Sequence, residues 1–381
     1  MENDKVYFPG LNGLRFFAAF SVVVTHIELV KHFKGYPTFW VENTSDELTL
    51  THILQKFIFH AGGLGVYFFF VLSGFLITYL LLVEQKEHRD IQIKSFYIRR
   101  ILRIWPLYYL IILLAFFVFP HIELMHLPGH DGSHFFIKLI FFVLMMPNVI
   151  HAMGAGLAYG TQTWSIGAEE QFYLIWPWLI KFFKNKLRLI IGVILVYLLF
   201  RYLFAFLFYK HVIFAYLYRI WYLFPIDNMA FGGLFAVIYF NNYKKAIYFL
   251  QHKLLQIIVW LVTVLLILSG KSLGYFHHQI YSFLFGIIIL NLATNDNTVV
   301  NFKLKYLDYL GKISYGLYMY HSILIVLSIK LLQAFNITQN LFIYALSFLL
   351  TIIVSALSYE YFEKRFIKMK KNYSVLTSAE T

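Results

Sequence analysis

Residues 13–30, GLRFFAAFSVVVTHIELV, decide how the rest of the chain is read. The run is long enough for one membrane crossing, which takes about 20 mostly apolar residues. Yet it carries Arg15 near its start and His26 near its end. Ionisable groups are costly inside a bilayer; they mark functional positions or snorkel to the interface. Eleven positions of helix at about 100° per residue place the two within roughly 20° of one face and about 16 Å apart along the axis. One stripe of a first helix thus offers an anion-binding group at one end and a titratable base deeper in. An arginine reaching lipid phosphates and an interfacial histidine would give the same pattern, so the stretch identifies a span and leaves its polar pair open.

Composition agrees with a membrane protein. Of 381 residues, 60% are hydrophobic and 13% charged, against roughly 25% charged in soluble domains. The 42 Phe and 29 Tyr suit lipid-facing and interfacial surfaces. No cysteine occurs, which excludes disulfides, thiolate metal sites and a cysteine nucleophile. The net charge of +13 falls in short loops between apolar runs, the pattern of membrane orientation, and requires no nucleic-acid partner. Residues 1–30 lack a small-residue cleavage site ahead of His26 and Glu28, so they are read as mature protein rather than a signal peptide.

Apolar runs suited to crossing lie at approximately 11–30, 62–83, 101–119, 164–180, 189–209, 222–240, 254–269, 276–293, 313–332 and 341–361. Basic loops fall at 84–105, 181–188, 241–253 and 303–312 and in the tail from Lys364 to Lys371, whereas 333–340 has neither Lys nor Arg. The positive-inside rule then places both termini in the cytoplasm. The run HFFIKLIFFVLMMPNVI at 134–150 would break that register if it crossed, so it reads as re-entrant or interfacial. The expected fold class is an all-α polytopic integral membrane protein of about ten transmembrane helices plus that one segment. A single transmembrane domain is expected over residues 1–365, then a short basic cytoplasmic tail over 366–381. No attached soluble domain and no inverted repeat is read along the chain.

Several polar motifs interrupt the spans. SFYIRRILRIWPLYYL at 95–110 brings Arg99, Arg100 and Arg103 to one mouth, where guanidinium groups suit a phosphorylated ligand and equally anchor a helix. TQTWSIGAEEQFYLIWP at 161–177 places Glu169 and Glu170 side by side behind Trp164. Carboxylates there orient a histidine, pair an arginine, bind a polar substrate, or simply favour a helix N-terminus. GVYFFFVLSGFLITYLL at 65–81 sets Ser73 and Gly74 in mid-span without a G-x-S-x-G elbow, which reads as close helix packing. ISYGLYMYHSILIV at 313–326 buries His321, and Asp227 sits in FPIDNMAFGGLFA. The histidines of the loop PHIELMHLPGHDGSH (His121, His126, His130, His134) match no metal-binding spacing.

Taken together these stretches resemble the acyltransferase-3 family of membrane-bound acyltransferases, over nearly the whole chain from GLNGLRFFAAFSVVVTH to YFEKRF. Arg15 and His26 match the family's Arg and His separated by ten residues in the first span. Arg100 and Arg103 match its cytoplasmic R-x-x-R, and FFFVLSGFLI, WSIGAEEQFYLIWP and ISYGLYMYHS resemble its other recurrent stretches in order. One departure is visible: Arg365 stands where the family usually has Pro after Glu363. Many relatives fuse an esterase-like domain after the membrane part, and this chain is expected to be the standalone form.

The resemblance implies a multi-pass enzyme of the bacterial inner (cytoplasmic) membrane, surrounded by its lipids. It would transfer an acyl group, usually acetyl, from cytoplasmic acyl-CoA to a hydroxyl of a cell-surface or lipid-linked carbohydrate, with no metal. Arg99, Arg100 and Arg103 would meet the phosphates of coenzyme A. A histidine, whose ordinary pKa is about 6.5, can deprotonate a sugar hydroxyl near neutral pH. His26 is therefore the expected base, with His321 as the other candidate, Arg15 steadying donor or oxyanion, and Glu169 orienting a histidine or binding acceptor. Ser73, Trp164, Asp227 and His321 are expected on the substrate side. The rival readings are a transporter or flippase of a polar lipid or glycan, and a structural scaffold.

Overall fold

The computed structural model describes residues 8, 10–36, 50–125 and 134–373. The first half runs α1 (Leu11–Phe33), α2 (Leu50–His88), α3 (Ile93–Leu113), α4 (Phe135–Val143), α5 (Pro147–Ala152), α6 (Trp164–Phe182), α7 (Lys186–Leu207) and α8 (Val212–Tyr222). The second half runs α9 (Ile226–Phe240), α10 (Lys244–Leu250), α11 (Lys253–Ser269), α12 (His277–Thr294), α13 (Lys305–Lys312), α14 (Ser314–Ala334), α15 (Asn340–Ser358) and α16 (Lys364–Met369). Among the described residues there is no strand.

Among the described residues eight helical stretches are long and apolar enough to cross a membrane, or nine when α10 and α11, bent by 56°, count as one. α6 falls outside that group because Glu169, Glu170 and Lys181 crowd its 19 residues. Each of the ten apolar runs of the sequence coincides with a helix, α6 included. The 134–150 run does not form a span. It breaks at Leu144–Met146 into α4 and α5, of 9 and 6 residues, and about 14 Å of helix is too short for a hydrocarbon core of about 30 Å. Tyr108 and Tyr109 of α3 fasten its turn, donating to the carbonyls of Phe142 at 2.8 Å and Val143 at 2.9 Å.

The interior is largely apolar with polar side chains set into it, and the outer surface is rich in large apolar side chains. Leu195, Leu199 and Phe206 of α7, and Leu254, Leu261 and Leu265 of α11, point outward. Glu28, Lys31, Thr78, Asp227, Asn228 and His321 are buried. α14 is the most enclosed span and α15 the least.

Close approach at glycine lets the helices share polar interior. A Cβ on Gly74 of α2 would lie 1.8 Å from the Met229 carbonyl oxygen, and one on Gly232 of α9 would lie 1.9 Å from that of Val71. The α2–α9 contact therefore works only with bare backbone on both sides, the small-residue packing that membrane helices use. α1 and α2 meet similarly at Gly62 and Thr25, and Thr25 Oγ1 donates to the Ile58 carbonyl at 2.7 Å. Glu28 and Lys31 form a wholly buried ion pair at 2.5 Å, and Tyr344 of α15 donates to the same carboxylate at 2.7 Å.

Candidate active site

Near the start of α1, five elements converge on a cavity of about 130 Å³. Arg15 enters from α1, Ser73 from α2, Arg100 and Arg103 from α3, Ser165, Glu169 and Tyr173 from α6, and Ser314, Tyr315 and Tyr318 from α14. Phe69, Phe70, Leu72, Leu76 and Ile77 of α2 supply an apolar wall. A mostly apolar cleft with a few convergent polar groups is the usual form of a small-molecule site.

The polar side chains are held by one another. Ser73 Oγ donates to Glu169 Oε1 at 2.8 Å, and Tyr173 donates to Glu169 Oε2 at 3.2 Å. Glu169 is thereby tied to α2 and to the next turn of its own helix. The adjacent Glu170 turns the other way and accepts from Trp105 Nε1 at 2.9 Å. Arg100 lies over the rings of Phe96 and Tyr173, 5.7 and 6.0 Å from their centroids, and its buried Nε has no hydrogen-bond partner among the described residues. Tyr315 donates to the Ile104 carbonyl at 2.8 Å, locking α14 to α3. Tyr318 donates to the Gln162 carbonyl at 2.9 Å while Ser165 donates to the Tyr318 oxygen at 2.8 Å.

One helical turn beyond Tyr318 stands the histidine pair. His26 and His321 meet edge to face, their centroids 4.7 Å apart at 69°. The His26 Nδ1–H donates to the Val22 carbonyl at 2.9 Å, and the His321 Nδ1–H donates to that of Tyr318 at 2.6 Å. A carbonyl can only accept, so each neutral ring keeps its proton on Nδ1 and its lone pair on Nε2. His321 is fully buried and its Nε2 has no partner among the described residues.

The structure thus brings together Arg15, Ser73, Arg100, Arg103 and Glu169 in one cavity, and His26 with His321 beside it. It separates the remaining three predicted residues. Arg99 leaves the cavity to pair with Glu84 at 2.8 Å and to donate to the Tyr373 carbonyl at 2.9 Å. Trp164 stacks with His151 and packs its edge against Phe70. Asp227 lies in a different polar group and accepts from Gln279 at 2.6 Å. Glu169 meets a serine and a tyrosine rather than a histidine. His126 and His130 lie outside the described residues.

Sequence reading passed over Tyr173, Ser165, Ser314, Tyr315 and Tyr318. Positions 165, 169 and 173, and positions 314, 318 and 321, step along single helix faces, and that spacing was the available signal. The cavity chemistry fits an acyl-CoA. Arg15, Arg100 and Arg103 can carry phosphate charge, the unpartnered Arg100 Nε has a hydrogen bond to give, and the apolar wall suits an extended acyl-pantetheine arm. Among the described residues no group of three His, Asp or Glu is arranged to hold a metal ion.

Residues 8–360 match the family described as an acyltransferase domain. The chain belongs to the acyltransferase-3 family. Among its relatives is the peptidoglycan O-acetyltransferase OatA of Listeria monocytogenes, 27% identical over 393 residues that cover 94% of this chain and 56% of that protein. YrhL of Bacillus subtilis is 31% identical over 178 residues, 45% of this chain and 23% of its own length. The O-acetyltransferase OatA of Staphylococcus aureus strain NCTC 8325 / PS 47 is 29% identical over 188 residues, 48% of this chain and 26% of its own. The chain spans about half the length of the first relative, and the matches to the other two cover about a quarter of theirs. No solved structure matches.

Proposed function

We propose that this multi-pass membrane protein is an O-acyltransferase that moves an acetyl group from acetyl-CoA to a hydroxyl of a bacterial cell-wall glycan. The observation that carries the reading is the succession of an arginine-lined cavity and, one helical turn past its Tyr318 wall, two histidines whose Nε2 atoms hold lone pairs. Donor enters at the arginines and transfer takes place at the histidines. Under the positive-inside rule the arginine end faces the cytoplasm, both termini lie there, and the membrane is the inner one. Residues 1–365 form the transferase domain and 366–381 a basic tail. The relatives named for peptidoglycan acetylation make peptidoglycan the first acceptor to test.

His26 Nε2 takes the proton of the acceptor hydroxyl. The oxygen attacks the thioester carbonyl carbon, forming the C–O bond, and collapse of the tetrahedral adduct breaks the C–S bond. The departing coenzyme A thiolate recovers the proton from the imidazolium. General-base assistance of this kind is worth about 10² to 10⁴ in rate. Arg15, Arg100 and Arg103 hold and position the donor at the cavity end. Glu169, fixed by Ser73 and Tyr173, fixes the distance between α2 and α6 across the cavity. His321 packs on His26 and sets its ring plane.

The test is transfer of radiolabelled acetyl from acetyl-CoA to peptidoglycan fragments by the purified protein in lipid nanodiscs. Stoichiometric release of free coenzyme A with labelled glycan is the expected result. Absence of both acetyl-CoA binding and turnover would refute the reading and favour transport.

A further inference from the structure

Outside this site a second set of polar side chains is buried where α2, α7, α8, α9 and α12 meet. Its depth is set by the α1–α2 contact. Thr25 and Gly62 touch, so His60 of α2 stands at the level of His26, and His60 Nε2 bonds the Tyr281 hydroxyl of α12 at 3.0 Å. The group therefore begins at the histidine end of the protein and reaches inward to Asp227, two residues from the Met229 that packs on Gly74. Tyr67 forms a shared wall. Its ring stacks on His278 at 3.8 Å and 10° and packs against Phe70, which lines the cavity.

Arg201 of α7 is 5% exposed and lies over Tyr275 and Tyr222, 4.8 and 5.4 Å from their centroids. It forms no ion pair among the described residues. Asp227 of α9 is fully buried and acts electrostatically on Arg201 without forming an ion pair with it. Its Oδ2 accepts from Gln279 at 2.6 Å. His278 shares a hydrogen with the Tyr222 hydroxyl at 2.7 Å. Four buried atoms are left without partners among the described residues: Arg201 Nε, Asp227 Oδ1, Gln279 Oε1 and His278 Nδ1. Burying polar atoms unpaired is expensive, and four of them on three facing helices form a set of donors and acceptors awaiting a polar molecule. A depression of about 490 Å³, lined by His151, Gly154, Tyr218, Arg219 and Tyr222, leads to Tyr222 from outside.

We propose that these groups line a chamber behind Tyr222 that is the acceptor subsite and takes one sugar ring of the glycan, an inference that rests on the acyl-transfer reading above. A pyranose presents apolar C–H faces and a rim of hydroxyls. The Tyr222 and Tyr275 rings meet the faces; Asp227 Oδ1 and Gln279 Oε1 accept from hydroxyls; Arg201 donates to a ring oxygen or an acidic substituent. Aromatic faces with a few fixed polar groups give such a site its orientation. The sugar would enter by the depression and present its hydroxyl past the Tyr67 and Phe70 wall.

The experiment uses the full chain in nanodiscs with the soluble disaccharide N-acetylglucosaminyl-N-acetylmuramic acid as probe. Wild type, Asp227→Asn and Gln279→Leu are compared for the KM of each substrate and, without acetyl-CoA, by calorimetric titration with the disaccharide. The expected result is a rise in disaccharide KM of about ten- to hundredfold in either variant, with the acetyl-CoA KM unchanged. Folded variants with an unchanged disaccharide KM, or a rise confined to acetyl-CoA, would overturn the proposal. The titration separates the two readings. Disaccharide binding without acetyl transfer refutes the enzyme and keeps the chamber, while transfer that survives both substitutions refutes the chamber and keeps the enzyme. If the variants do not fold, a wild type that transfers acetyl but shows no saturable disaccharide binding counts against the chamber.

Discussion

His26 of the first span and His321 of the central span touch edge to face, 4.7 Å between ring centroids, with both Nδ1–H groups turned back onto their own helices. Two neutral imidazoles in contact cannot both take a proton at once, because the second charge would sit beside the first. One acts on the hydroxyl and the other positions it. His26→Ala is expected to lower kcat by about 10² to 10⁴ while acetyl-CoA still binds. His321→Gln is expected to cost less and to shift the pH profile of kcat/KM, a readout that a merely structural role would leave in place. The reverse ranking would exchange the two roles.

Arg99 and Arg100 are neighbours with opposite expectations. Arg100 faces the cavity, so Arg100→Ala should raise the acetyl-CoA KM by about tenfold or more, the worth of one charge-assisted contact. Arg99 is bound to Glu84, which is nearly fully buried and also accepts the Gln92 N–H at 2.8 Å. Arg99→Ala should leave the donor KM in place and lower stability by about 3 kcal/mol, because it strands a buried carboxylate. Thermal unfolding in nanodiscs, beside steady-state kinetics on both substrates, separates the two.

Ser73 lines the same cavity and donates to Glu169, an arrangement that could serve a nucleophile as well as a brace. Direct transfer predicts that acetyl-CoA alone, without acceptor, leaves no label on denatured protein. Ser73→Ala should then retain measurable transfer. Label recovered on a peptide containing Ser73 would replace direct transfer with an acyl-enzyme.

Gly74→Ala and Gly232→Ala should each destabilise by about 1–3 kcal/mol, the usual range for overpacking. Their new methyl groups would meet backbone carbonyl oxygens, which cannot swing aside as side chains do. Loss of thermal stability, with the acetyl-CoA KM kept in whatever protein remains folded, is the expected pattern. An unchanged melting temperature would show that α2 and α9 can slide apart.

The sequence alone determined the spans. Each of the ten apolar runs coincides with a helix, and the 134–150 run, read as re-entrant or interfacial, forms two short helices that meet ahead of Pro147. Hydrophobicity is carried by each residue whatever its neighbours, so a membrane span can be read locally. The motifs also named the helices that build the site, since Arg15, Ser73, Arg100, Arg103 and Glu169 all reach one cavity.

What the sequence did not determine was the rotation of each helix and the identity of its neighbour. Arg99 and Arg100 differ by about 100° around α3, and only contact with α2 and α6 sends one to Glu84 and the other to the cavity. Tyr318 and Tyr173 join the site because α14 and α6 present those faces inward, while Asp227 accepts from Gln279 of α12 and acts on Arg201 of α7. Inside a bilayer, lipid tails are as apolar as the side chains facing them, so hydrophobicity gives no preference among faces. Close packing and hydrogen bonding between helices decide them, and those are properties of the assembled structure.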